Sequence, residues 1–180
     1  MIILKIEFEQ LKFQSNNISI YLNLMTMIKS IFLIALFLFG ITAMAQTNFS
    51  GNWELSKTKS KLNAEFSMAP VKLVINQDSK NLKVERHSNF QGNSFTSESN
   101  YTLDGLECIN SGWEDMKIKS VTLWDEAQKI LIIKSKIPMQ DGSEMSISEN
   151  YQITDGNLSI ISKASSSWGD MEETWVFEKK

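Results

Sequence analysis

Between residues 49 and 178, short runs of β-branched and aromatic residues recur, separated by Asp-Gly, Asn and Ser clusters, and no segment sustains a helical period. A chain so patterned folds as strands joined by turns. "VINQDSKNLKVER", "YTLDGLECI", "VTLWDEAQKILII" and "YQITDGNLSII" each set an acidic turn between two strand-like runs. Asp104-Gly105 and Asp155-Gly156 supply the positive φ that tight hairpins demand. This reading puts strands near 49–56, 71–76, 82–89, 94–103, 106–110, 116–124, 129–137, 145–153, 157–163 and 171–178. Connections this short pair sequential strands antiparallel, as a meander. So many strands exceed what one flat sheet carries comfortably, and closure removes exposed edges. The expectation is an all-β fold, an antiparallel up-and-down barrel of about 8–10 strands, with a two-sheet β-sandwich as the alternative.

Upstream of this pattern the chain changes character. Lys29 leads into "SIFLIALFLFGITAMAQ", an apolar run of secretory length ending in Ala43, Met44 and Ala45, the small-x-small pattern cut by signal peptidase. Cleavage there leaves Gln46 first and implies an exported protein, periplasmic or secreted. The run is shorter than the roughly 20 residues of a spanning helix, and no Cys stands at the cut to carry lipid. No stable membrane anchor is expected. Signal sequences begin with their basic region, so residues 1–26 read as a misassigned start or an N-terminal extension, with Met27 or Met25 as the initiator. The division is therefore 1–26, a signal peptide over 27–45, and one barrel domain over 46–180.

Of the 18 Lys and Arg and 21 Asp and Glu in the chain, 15 and 19 lie from Gln46 onward, so the domain is mildly acidic and has no basic stripe for nucleic acid. Cys108 is the single cysteine and His87 the single histidine, too few for the three or four ligands of a zinc site or for an internal disulfide. No metal and no other cofactor is expected. Cys108 reads as a small buried hydrophobe.

In a meander, alternate connections lie at the same end. One end takes the tight turns at Asp78, Asp104-Gly105, Asp125 to Gln128 and Asp155-Gly156. The other takes 57–70, 90–93, 111–115, 138–143 and 165–170, and with them Phe66, Met68, Phe90, Trp113, Met139 and Trp168. Two readings stand for these aromatics. They form an apolar rim around an open mouth that meets an entering ligand, or they fold inward and plug the barrel.

Arg86 and His87 are adjacent, and successive side chains on a strand point to opposite faces, so the two cannot act on one substrate. Leu82, Val84, Arg86 and Ser88 share the apolar face, whereas His87 falls on the wet one with Lys83 and Glu85. The same alternation turns Met145, Ile147, Glu149, Tyr151 and Ile153 inward, with Phe95, Ser97, Ser99 and Tyr101 on another strand and Glu173 and Trp175 on the last. An inward arginine needs an anion, because an isolated buried charge costs several kcal/mol. Its partner is Glu149 or Glu173 as a structural bridge, or else a ligand carboxylate gripped by the planar guanidinium. No Ser-His-acid set can be built around His87 and no phosphate loop is present, so no enzyme activity is expected.

"NFSGNWELSKTKSKL" opens the domain with Gly51-x-Trp53, which resembles the Gly-x-Trp start of lipocalins and related fatty-acid-binding barrels. Together with "YTLDGLEC", "IKSVTLW" and the terminal "WVFEKK", it resembles small exported bacterial proteins described as lipocalin-like. The resemblance implies a closed barrel with Trp53 packed at its base and a cavity for a small apolar molecule. A helical lid of the fatty-acid-binding kind would have to fit within 57–70, which has room for a short helix around Leu62 to Phe66 at most. The functional expectation is a protein that holds a small apolar or amphipathic ligand, with Arg86, Tyr101, Glu149, Tyr151, Glu173, Phe90, Trp113 and Trp168 as candidate contacts. The alternative is a structural or interaction module that has a filled core and uses its loop tryptophans on a protein or glycan.

Overall fold

The computed structural model describes residues 46–180 apart from 91, 113–115 and 128, and of the preceding stretch only Leu24, Met25 and Met27. The signal-peptide and start-site readings therefore lie outside the described residues, as does Trp113. The described domain is built from ten strands: β1 (Gly51–Leu55), β2 (Lys72–Gln77), β3 (Asn81–Phe90), β4 (Asn93–Thr102), β5 (Cys108–Ser111), β6 (Lys117–Asp125), β7 (Ile130–Pro138), β8 (Glu144–Thr154), β9 (Asn157–Ser166) and β10 (Gly169–Lys179).

Each strand pairs antiparallel with its neighbour, in the order β4-β3-β2-β1-β10-β9-β8-β7-β6-β5, within a single sheet. The chain's first and last strands, β1 and β10, pair at the middle of this sheet, with Trp53 opposite Lys179 and Leu55 opposite Phe177. The remaining seam lies between β4 and β5, where side chains stand in for the ladder. Asn110 Oδ1 of β5 accepts the Asn100 N–H at 2.7 Å, and past the short β5 Thr122 Oγ1 of β6 donates to the Thr102 carbonyl of β4 at 2.5 Å. The result is a nearly closed, antiparallel up-and-down barrel, and the two-sheet sandwich does not form. At the β8–β9 hairpin, Asp155 and Gly156 take φ of 51° and 76°, the positive pair that a tight two-residue turn requires.

The Gly-x-Trp opening has a packing cause. Gly51 sits at φ 154°, and a Cβ there would stand 3.0 Å from Lys179 Cε and 3.3 Å from Trp53 Nε1. Trp53 is buried at the tight-turn end, donating through Nε1 to the Phe49 carbonyl at 2.9 Å. Lys179 Nζ lies 5.4 Å from the centroid of the same ring.

Along several strands the inward positions change from large and apolar at that end to small or polar toward the other. Leu82 and Val84 give way to Arg86 and Ser88 on β3, Leu131 and Ile133 to Ser135 on β7, and Leu158 and Ile160 to Ser162 and Ala164 on β9. Strand β10, which runs the other way, passes from Glu173 to Trp175 and Phe177. The fully buried hydrophobic cluster therefore fills one half of the barrel.

Residues 57–70 hold no helix, which corrects the short helix allowed around Leu62 to Phe66. Two features keep this strap extended. Lys61 exchanges backbone hydrogen bonds with Thr174, at 2.8 and 3.0 Å. Asn63 Oδ1 accepts the N–H groups of Glu65 and Phe66 at 3.0 and 3.2 Å, a local turn that competes with helix.

Candidate functional site

Above the filled half lies a cavity of about 190 Å³. Its polar wall is made by Arg86 of β3, Ser97, Ser99 and Tyr101 of β4, Ser120 of β6 and Glu149 of β8. Ile118, Ile137, Ile147 and Met68 of the strap supply apolar wall, and Trp175 closes part of the floor. Side-chain alternation delivers each strand residue, since every one occupies an inward position of its strand.

Arg86 is the centre of this wall. Its Nη2 donates to Glu149 Oε2 at 2.8 Å and to the Tyr151 hydroxyl at 3.0 Å. Nη1 reaches Ser99 Oγ and the Tyr101 hydroxyl at 3.4 Å. The Tyr151 hydroxyl donates in turn to Glu149 Oε2 at 3.1 Å, which closes a triangle of charge-assisted bonds. The side chains of Arg86 and Glu149 are 16% and 11% exposed, so solvent screens the pair little. Burial opposes the charge on Arg86, but Glu149 and the two tyrosines outweigh it and hold the guanidinium well above its ordinary value.

Tyr151 stands where the filled half meets the hollow half, its ring edge-on to Phe49 with centroids 6.0 Å apart. Burial pushes its phenol well up, against the pull of Arg86 and with help from Glu149. The fold thus binds this proton more tightly than the unfolded chain does. Its contribution to stability is whole below about pH 10, the value of a free phenol, and is lost as pH rises from there toward the folded value. Alkaline urea unfolding is expected to show this loss in the native sequence and a smaller one in Tyr151→Phe; equal losses in both would contradict the assignment.

The sequence left Arg86 two carboxylates to choose from, and both occupy one inward row, with Glu149 opposite Ser162 and Ser162 opposite Glu173. Arg86 takes Glu149. Glu173, 2% exposed, serves the strap instead: Oε1 accepts the Asn63 N–H at 2.8 Å, and Oε2 accepts Met68 N–H and Trp175 Nε1 at 3.0 Å each. It is a tether off the cavity wall.

The structure therefore brings Arg86, Tyr101, Glu149 and Tyr151 together and sets Glu173 and Trp168 apart. Trp168 is 79% exposed in the β9–β10 turn, so it neither plugs the barrel nor lines the cavity. Phe90 ends β3, its side chain outside the described residues, where Trp113 also lies. His87 faces outward as expected, its Nε2 2.6 Å from Glu85 Oε1 and its Nδ1 3.2 Å from Thr96 Oγ1. Cys108 is half-buried with its thiol directed at the Ser120 carbonyl, and burial pushes the thiol up, away from reactivity.

Sequence reasoning did not single out Ser120, Ser135 and Asn110 of this wall. Ser120 and Ser135 share a hydrogen bond of 2.8 Å across β6 and β7. Their signal was small polar residues at inward positions of otherwise apolar strands. A larger hollow, of about 580 Å³, crosses β7 to β10. It runs between outward-facing rows that include Lys134, Lys163 and Glu172 on one side and Lys136 and Asp170 on the other, so it is a surface groove. Lys163 and Lys136 are met there by Glu172 and Glu144, at 3.0 and 2.8 Å.

No protein-family model matches the sequence, and no curated protein sequence matches it. Among solved structures, the chain is similar to the zebrafish ileal bile acid-binding protein crystallised with cholic acid, at 16% identity and a TM-score of 0.45, over 73% of this chain and 98% of that one.

Proposed function

We propose that the protein is an exported binding protein that holds a small apolar or amphipathic molecule in the hollow half of its barrel. The observation that carries this reading is the division of one interior into two. Large side chains pack one half to closure, while the other keeps a cavity whose polar groups converge on Arg86 and Glu149. A ligand's polar end would meet that cluster, and its apolar part would lie on Ile118, Ile137 and Ile147. The cavity is smaller than the ~300 Å³ at which sites for drug-sized ligands begin, so it suits a small molecule or the head of a longer one.

Tryptophan emission, to which Trp175 on the cavity wall contributes, is expected to change saturably when the protein is titrated with short-chain amphiphiles. A flat titration into the millimolar range would remove the reading. Export rests on the apolar run before Gln46. The exported protein is expected to show an intact mass beginning at Gln46, and a mass that retains residues 27–45 would overturn this.

One observation favours the interaction-module alternative: Trp168 stands exposed beside a nearly closed barrel. In that case Trp168→Ala would abolish capture of a partner and leave amphiphile uptake as it was.

A further inference from the structure

The charge balance of the cavity narrows the ligand class, an inference that rests on the binding reading above. Among the described wall residues Arg86 is the one cation and Glu149 the one anion, and they already satisfy each other at 2.8 Å. Nη2 is committed to Glu149 and Tyr151. Nη1 holds Ser99 and Tyr101 at 3.4 Å, long for such bonds, and is the donor able to turn to a ligand oxygen. A carboxylate placed there would give up its water, find the guanidinium already neutralised and stand close to Glu149. Like charges repel more strongly in such a poorly solvated site than in water.

A hydroxyl or ester oxygen has no such conflict. It can accept from Nη1 without displacing Glu149, and a hydroxyl can also donate to a wall oxygen such as Ser97 Oγ. We propose that the cavity selects neutral amphiphiles bearing a hydroxyl or ester group and discriminates against free carboxylates. Glu149 is the specificity-determining residue, because it occupies the guanidinium that a carboxylate would need.

The test is calorimetric titration of the protein at neutral pH with 1-octanol, methyl octanoate and octanoate, ligands of matched chain length that differ in charge. The two neutral ligands are expected to bind at least about tenfold more tightly than octanoate. In Glu149→Gln, which removes the anion and keeps an amide of similar shape, octanoate is expected to gain at least about tenfold. Octanoate binding as tightly as 1-octanol to the native protein would overturn the selectivity and leave the binding reading intact. Failure of all three ligands to bind would overturn both. The native-sequence comparison decides the matter alone if the variant does not fold.

Discussion

Glu149→Ala is expected to lower the free energy of unfolding by about 3 kcal/mol, because it leaves the Arg86 guanidinium desolvated and without its anion. Arg86 cannot escape by losing its proton, since arginine stays charged throughout the accessible pH range. The cost is placed at the low end for breaking a buried pair because the cavity beside Arg86 can admit water. Most of the loss should return when Arg86→Met is added, because two apolar side chains then replace two charges that both required hydration or a partner. Urea unfolding of the single and double variants measures this. A double variant as unstable as Glu149→Ala would show that the pair is not what the single change disrupts.

The second large effect concerns the strap. Glu173→Ala removes the acceptor of three N–H donors, those of Asn63, Met68 and the Trp175 ring. Buried donors left unmade cost about 1–3 kcal/mol each, though strap residues freed to reach water recover part of it, so a total of about 3 kcal/mol is expected. The local consequence is more specific than the global one. Without its tether the strap should open, and Lys57, Lys59 and Lys61 should become early trypsin sites while the barrel strands stay protected. Glu173→Gln keeps one carbonyl acceptor and should fall between. Unchanged trypsin cleavage of the strap in Glu173→Ala would contradict the tether.

Much of this architecture was legible because barrel formation depends on local, two-residue alternation. All ten strands lie within a few residues of where the β-branched runs and acidic turns put them, and the two unequal ends follow from counting connections. Alternation in the sequence alone also turns Arg86, Tyr101, Glu149 and Tyr151 inward. What it could not supply was position around the barrel. Glu149 and Glu173 share an inward row, and the choice between them is made by the strap, which reaches Glu173 through backbone N–H groups that carry no side-chain signature.

Strand β6 hid its share of the wall for a different reason. Its inward positions are Ile118, Ser120, Thr122 and Trp124, while Val121 and Leu123 face out, Leu123 44% exposed. Over the middle of the strand this inverts the usual apolar-in order, so Ser120 and Thr122 read as the solvent face. The helix allowed over Leu62 to Phe66 failed through local competition, with Asn63 capturing the N–H groups that a helix would need. Trp168 was legible as a loop residue, but whether it turned in or out depended on space that the tight β9–β10 turn does not offer.

Side-chain alternation separates a hollow interior, which the binding reading fills with ligand, from a solvated exterior. Ser135 and Lys134 are neighbours on β7, the first inward on the cavity wall and the second exposed. Calorimetric titration of Ser135→Phe and Lys134→Phe with 1-octanol distinguishes the two faces. Filling the cavity in Ser135→Phe should weaken binding by at least about tenfold, and Lys134→Phe should bind as the native protein does. Equal affinities in the two variants, or uptake by Ser135→Phe at native strength, would contradict a ligand site inside the barrel.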